Sequence, residues 1–206
     1  MAEFTAQDVQ GLRKSSGAGI MDAKRALTEA NGDMERAAEL LREKGIAAAA
    51  KRTDRAQTQG AIGSYMHYQV ERPVIGVLVE LAAETDFVAK SDEFQQVAND
   101  VAMHIAAAQP TWVRREDVPE ATVAKEKELI AAQARNEGKP DPIVEKIVDG
   151  RINSFYADNV LYDQTFVRAE RFEGTVEQLV QQLAVTMGEN ISVARFSRLQ
   201  VGEGGE

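Results

Sequence analysis

The side chains with the most to offer another molecule gather at one junction. In LAAETDFVAKSDEF, residues 81–94, an acid stands beside a large aromatic, Asp86-Phe87, where an apolar strand gives way to a helix. Glu84 and Asp86 resist burial, while Phe87 and Val88 resist exposure. Two readings stand open. In the plainer one, Phe87 folds back onto the core and Asp86 caps local amides. In the other, the pair is a probe that enters a partner. Burying a phenyl contributes about 1.5–3 kcal/mol in either place, so energy alone does not separate them.

Elsewhere the chemistry is sparse. Cysteine is absent, which excludes disulfides, thiolate metal sites and a cysteine nucleophile. The two histidines, His67 in a predicted strand and His104 on a predicted helix, have no carboxylate cluster to join them into a metal site. Both read as ordinary structural or surface residues. SSGAG, residues 15–19, follows a helix and has no lysine-hydroxyl pair behind it, so it reads as a turn and not as a phosphate loop. Lys51, Arg52 and Arg55 lack aromatic neighbours and read as a solvated helix face. A net charge of -9 disfavours nonspecific nucleic-acid binding. No cofactor, metal or nucleotide site is expected.

The elements around the junction predict an α+β protein with two domains. Residues 1–46 read as three short helices. Thr5 and Asp8 have capping-box spacing at the first. The second, about Met21–Ala30, presents Ala23, Ala26, Leu27 and Ala30. Asn31-Gly32 ends it, and Asp33 caps a third helix that stops at Gly45 with Ala37, Ala38 and Leu41 inward. Residues 47–60 read as a helical arm and linker. The core, 61–200, opens with a hairpin, 61–69 and 74–82, turning at Glu71-Arg72-Pro73, with Ile75, Val77, Val79 and Leu81 on one face. Helices follow from Ser91 to Pro110, from Pro119 to Asn136, and from Pro142 to Phe155 on Ile143, Ile147 and Ile152. Residues 160–167 read as loop-like. Thr175 and Gln178 open another helix, and a last strand, 191–199, sets Ile191, Val193 and Leu199 against Ala194 and Phe196. The three strands predict a small antiparallel sheet covered by helices. The tail 201–206 reads as flexible.

No apolar run approaches the roughly 18 residues of a membrane helix. MAEFTAQDVQ lacks the basic-then-apolar order of a signal peptide, so a cytoplasmic location is expected.

Two long motifs in order resemble the signatures of bacterial-type translation elongation factor Ts: LRKSSGAGIMDAKRALTEANGD, residues 12–33, and TDFVAKSDEF, residues 85–94. The resemblance continues through AAAAKR (47–52), GRINSFY (150–156) and LYDQTFV (161–167). It implies a ubiquitin-associated-like helical domain before the family core. It also implies exchange of guanine nucleotide on elongation factor Tu without covalent chemistry. Phe87 would wedge between helices of that GTPase, and Asp86 would act beside its magnesium site. Thr85 and Val88 would shape and seat the tip. Arg13, Ile20 and Met21 match the part that touches the GTPase near its guanine side, although Met21 also reads as a core residue. The single core resembles the short members of the family, which implies a homodimer and a two-plus-two complex. Two other readings stay open: a scaffold that recruits a protein through its N-terminal helices, and an enzyme using scattered carboxylates.

Overall fold

Thr5 opens the first helix, as its spacing predicts. In the computed structural model, which describes residues 4–203, its hydroxyl accepts the Asp8 N–H at 3.2 Å and the Asp8 carboxylate accepts the Thr5 N–H at 2.7 Å. Helix α1 (Ala6–Ser16) ends where Gly17 turns left-handed. Helix α2 (Ile20–Glu29) follows, and Asp33 caps α3 (Met34–Ala50) through the Arg36 N–H at 3.0 Å. Together they bury Val9, Leu12, Ala23, Ala26, Leu27, Ala37 and Leu41, with Ala30 and Ala38 partly buried at the margin.

Helix α3 does not stop at Gly45. It continues through the alanines to Ala50, because good helix formers on the far side outweigh one glycine. Gly45 serves a different purpose. A Cβ there would lie 2.6 Å from Val185 Cγ1, so its bareness lets α8 (Val176–Met187) approach.

The sheet is antiparallel, in the order β1 (Gln59–Gln69), β2 (Arg72–Ala83), β3 (Ser192–Gln200). Its hairpin turns at Val70-Glu71 rather than at Glu71-Arg72-Pro73. Both turn residues have positive φ, 48° and 64°, the twist that a two-residue hairpin requires. Valine is an uncommon host for that conformation, which is why the sequence pointed to the neighbouring proline instead. Pro73 lies inside β2.

Val77, Val79 and Leu81 fill the inner face of β2. Behind the sheet, α5 (Asp92–Ala108) comes so close that a Cβ on Gly63 would stand 2.2 Å from the Ala98 carbonyl oxygen. Ser91 caps α5 through the Phe94 N–H. Helices α6 (Glu120–Asn136) and α7 (Asp141–Asn159) pack on each other. The buried side of α7 is Val144 and Ile152; Ile152 is inward as expected and Ile147 half-buried, while Ile143 is exposed and Val144 is buried beside it.

Residues 160–167 contain a 3-10 turn, Leu161–Asp163, and are well anchored. The Gln164 amide donates to the Ala108 and Asp158 carbonyls at 3.3 and 2.9 Å, and its oxygen lies 3.0 Å from His104 Nε2. The Val167 N–H donates to His104 Nδ1 at 3.3 Å. His104 is fully buried, and burial holds its pKa below the ordinary value.

The Arg195–Glu80 pair (2.7 Å) and the Val201 N–H to Val74 carbonyl bond (2.9 Å) set the register of β3 on β2. Val193 is buried, with its N–H donating to Tyr162 Oη at 2.8 Å, but Leu199 is 75 % exposed. Leu199 belongs to the outer face rather than the core. Val201–Glu203 form a turn, and 204–206 lie outside the described residues. Among the described residues, no helix is long and apolar enough to cross a membrane.

The chain divides into two compact units that do not follow chain order. One holds the N-terminal helices through Gly60 together with Ala82–Ala89 and Gln181–Ser192. The other holds Ala61–Leu81, Lys90–Val180 and residues 193–203.

Candidate functional site

The TDFV junction is a single helical turn, α4 (Asp86–Ala89). Thr85 caps it. Its hydroxyl accepts the Val88 N–H at 3.3 Å and its carbonyl accepts the Ala89 N–H at 3.2 Å. One turn is enough to split the motif between two sides: Val88 and Ala89 are buried, while Asp86 and Phe87 face outward. Phe87 is 81 % exposed. It does not fold back onto the core, so the plainer sequence reading fails for the phenyl.

Glu189 lies directly against the cap. One carboxylate oxygen accepts the backbone N–H groups of Glu84 and Thr85 at 3.0 and 3.1 Å, and the other accepts the Thr85 hydroxyl at 2.5 Å. The contact is reciprocated. Glu84 accepts the Asn190 N–H at 2.7 Å, and its charge is met by Arg55 at 3.4 Å. The Asn190 amide donates to the Thr53 and Arg55 carbonyls at 3.0 and 2.9 Å. The Ser192 hydroxyl reaches Gln57 at 2.8 Å. Sequence reasoning missed Glu189 and Asn190. They follow Gly188, a left-handed glycine just past α8, and nothing local marks them as partners of Thr85.

Arg13 stands exposed in the last turn of α1. Ile20 and Met21 begin α2 and are exposed as well, Met21 by 68 %, which removes it from the core. These three residues belong to the same compact unit as Thr85, Asp86, Phe87 and Val88. Two segments far apart in sequence are thus carried by one body.

Conventional active-site chemistry is thin among the described residues. Among the described residues, no group of three or more histidines, cysteines, aspartates or glutamates could hold a metal ion. His104 is occupied by Gln164 and Val167, and His67 is exposed on β1. What the site offers is an outward phenyl and carboxylate on a braced turn.

Residues 16–203 match the family described as "Elongation factor TS". The elongation factor Ts of Geobacter sulfurreducens is 52 % identical over 98 % of this chain and 91 % of its own length. That of Carboxydothermus hydrogenoformans is also 52 % identical, over 98 % of this chain and 90 % of its own. That of Fervidobacterium nodosum is 49 % identical over 98 % of this chain and the whole of its own.

Proposed function

Because the chain belongs to the elongation factor Ts family, we propose that α4 is the tip with which it opens the nucleotide site of elongation factor Tu. The protein is a guanine-nucleotide exchange factor for that GTPase in translation elongation, and it acts without covalent chemistry. It binds the GDP form, expels GDP and leaves the site ready for GTP. Phe87 enters an apolar space between helices of the GTPase, and Asp86 acts on polar groups beside its magnesium. Thr85 and Val88 hold the tip, while Arg13, Ile20 and Met21 touch the guanine side. The division of the chain is that read from its sequence: a ubiquitin-associated-like domain at 1–46, an arm at 47–60, the core at 61–200 and a short tail. A cytoplasmic site of action belongs to the same reading.

The observation that carries the tip assignment is the exposed phenyl on a turn whose neighbours are buried. An outward phenyl beside a carboxylate on an ordered turn is available to an apolar space in a partner, where its burial would add stability to the complex. The physics is coupling between two ligands of the GTPase. If the factor weakens GDP binding by about 100-fold, GDP weakens factor binding equally, and the coupling is about 2.7 kcal/mol. A buried phenyl with an adjacent charge contact reaches that scale.

The test is stopped-flow release of fluorescent GDP from elongation factor Tu under excess unlabelled nucleotide. Acceleration by the native protein, reduced in folded Phe87→Ala and Asp86→Ala proteins, is the expected result. Acceleration unchanged in both variants would move the chemistry away from α4. A stable complex without acceleration would favour the scaffold reading.

The working form in this reading is a homodimer that binds two GTPases. Its support is the outer face of the sheet, where Ile62, Met66, Tyr68, Leu78, Leu199 and Val201 are all exposed. Exposed apolar side chains on all three strands suit a second copy of the same chain. Sedimentation of the free protein at micromolar concentration tests it, and a monomer both free and in the complex would remove it.

A further inference from the structure

We propose that Glu189 is a positioning residue for nucleotide exchange, one that sets the proton direction of the Thr85 cap and thereby holds Phe87 outward. This rests on the reading of α4 as the working tip. A helix of four residues has no stability of its own, because nucleation costs more than one turn of hydrogen bonds returns. Order in α4 must therefore come from its surroundings. Burial of Val88 and Ala89 supplies part of it. The Glu189 carboxylate supplies another part at the other end, by fixing the backbone of the two residues that precede the turn.

The Thr85 hydroxyl is the key atom. It has one proton and two lone pairs. The proton goes to Glu189 Oε1, so a lone pair is directed at the Val88 N–H. Without Glu189 the hydroxyl is free to rotate, and the cap loses its fixed direction. Charge-assisted bonds of this type are roughly twice as strong as neutral ones. The bonds from Asn190 to Thr53, Arg55 and Glu84 hold the chain beside Glu189 in register, so the carboxylate is itself braced.

The experiment uses the full chain with Glu189→Ala, the near-isosteric Glu189→Gln, and Thr85→Val alone and combined with Glu189→Ala. Each is followed by thermal melting, by amide hydrogen exchange, and by GDP release from elongation factor Tu over a range of factor concentrations. Glu189→Ala is expected to raise amide exchange at Thr85 and Val88 by about tenfold or more, with the amides of α5 unchanged. GDP release at saturating factor is expected to slow about tenfold, with a smaller loss in Glu189→Gln, which keeps one acceptor oxygen. Thr85→Val is expected to add little to Glu189→Ala, because both remove the same directed bond. Three results would overturn the proposal: release unchanged in Glu189→Ala and Glu189→Gln, strict additivity with Thr85→Val, or faster amide exchange throughout the protein. If the native protein itself fails to accelerate release, the exchange reading falls and takes this one with it. Native acceleration with unaltered variants removes only the role of Glu189.

Discussion

Replacing Phe87 by alanine separates the stability of the free protein from its work on a partner. The phenyl is already 81 % exposed, so it contributes little to the isolated fold. Surface changes of this kind stay within about 0.5 kcal/mol, which for a chain of this length is about 1–2 °C in melting temperature. The complex is another matter. Full burial of a phenylalanine is worth about 1.5–3 kcal/mol, and scaling by the 81 % still exposed leaves about 1.2–2.4 kcal/mol for the GTPase to collect. At 1.36 kcal/mol per tenfold, GDP release should slow by about 8- to 60-fold. The concentration dependence says where that energy goes. If it deforms the nucleotide site, the rate at saturating factor falls; if it only tightens the complex, the half-saturating concentration rises. Linkage adds a second reading from the same variant, since GDP should antagonise its binding less than it antagonises the native protein's. A variant that melts more than about 5 °C lower yet releases GDP normally would refute the reasoning, because Phe87 would then be a core residue.

Three further predictions concern the other compact unit, which holds Gly63, Leu78 and His104. Gly63→Ala places a Cβ against the backbone oxygen of Ala98, which cannot rotate away, so a loss of about 3 kcal/mol and a melting temperature lower by about 6–12 °C are expected in calorimetry. His104 is held neutral by burial, its pKa depressed below 6.5, so unfolded chains take up a proton that the native state resists. Stability should be flat in this respect above about pH 6.5 and fall below it by at most about 1.4 kcal/mol per pH unit; His104→Asn should flatten the slope of melting temperature between about pH 7 and pH 5. Leu78→Glu sets a charge on the exposed sheet face, and sedimentation should show the proposed dimer weakened by tenfold or more with little change in melting of the protomer.

The legible parts of this fold were those decided within a few residues of chain. Thr5 with Asp8, Asp33 with Arg36, Ser91 with Phe94 and Thr175 with Gln178 are all caps whose partners lie three residues on, and spacing alone finds them. The alternation of Val77, Val79 and Leu81 marks a strand for the same reason. Gly45 was misjudged because a glycine that ends a helix and one that admits a neighbour look alike until Val185 is seen beside it. Val70-Glu71 was missed because neither residue advertises a left-handed turn, whereas Pro73 nearby does advertise a break. In α7 the sequence reading placed Ile143 inward, but Val144 is buried and Ile143 exposed. At the tip, the sequence identified the conflict at Asp86-Phe87 but not its resolution. Exposure of the phenyl depends on a helical turn, and the turn is braced by a carboxylate 104 residues away in the chain.

That distance has a consequence for how the protein comes into being. A chain is made from its N-terminus, so α1 to α3 can pack while most of the sequence is still unmade. Thr85, Asp86 and Phe87 emerge well before the residue that grips the backbone here, which follows Thr85 by 104 residues. A growing or truncated chain that ends before Glu189 carries the whole recognisable motif without its brace. The order of synthesis therefore acts as a timer: the tip gains its brace only after Glu189 has been made.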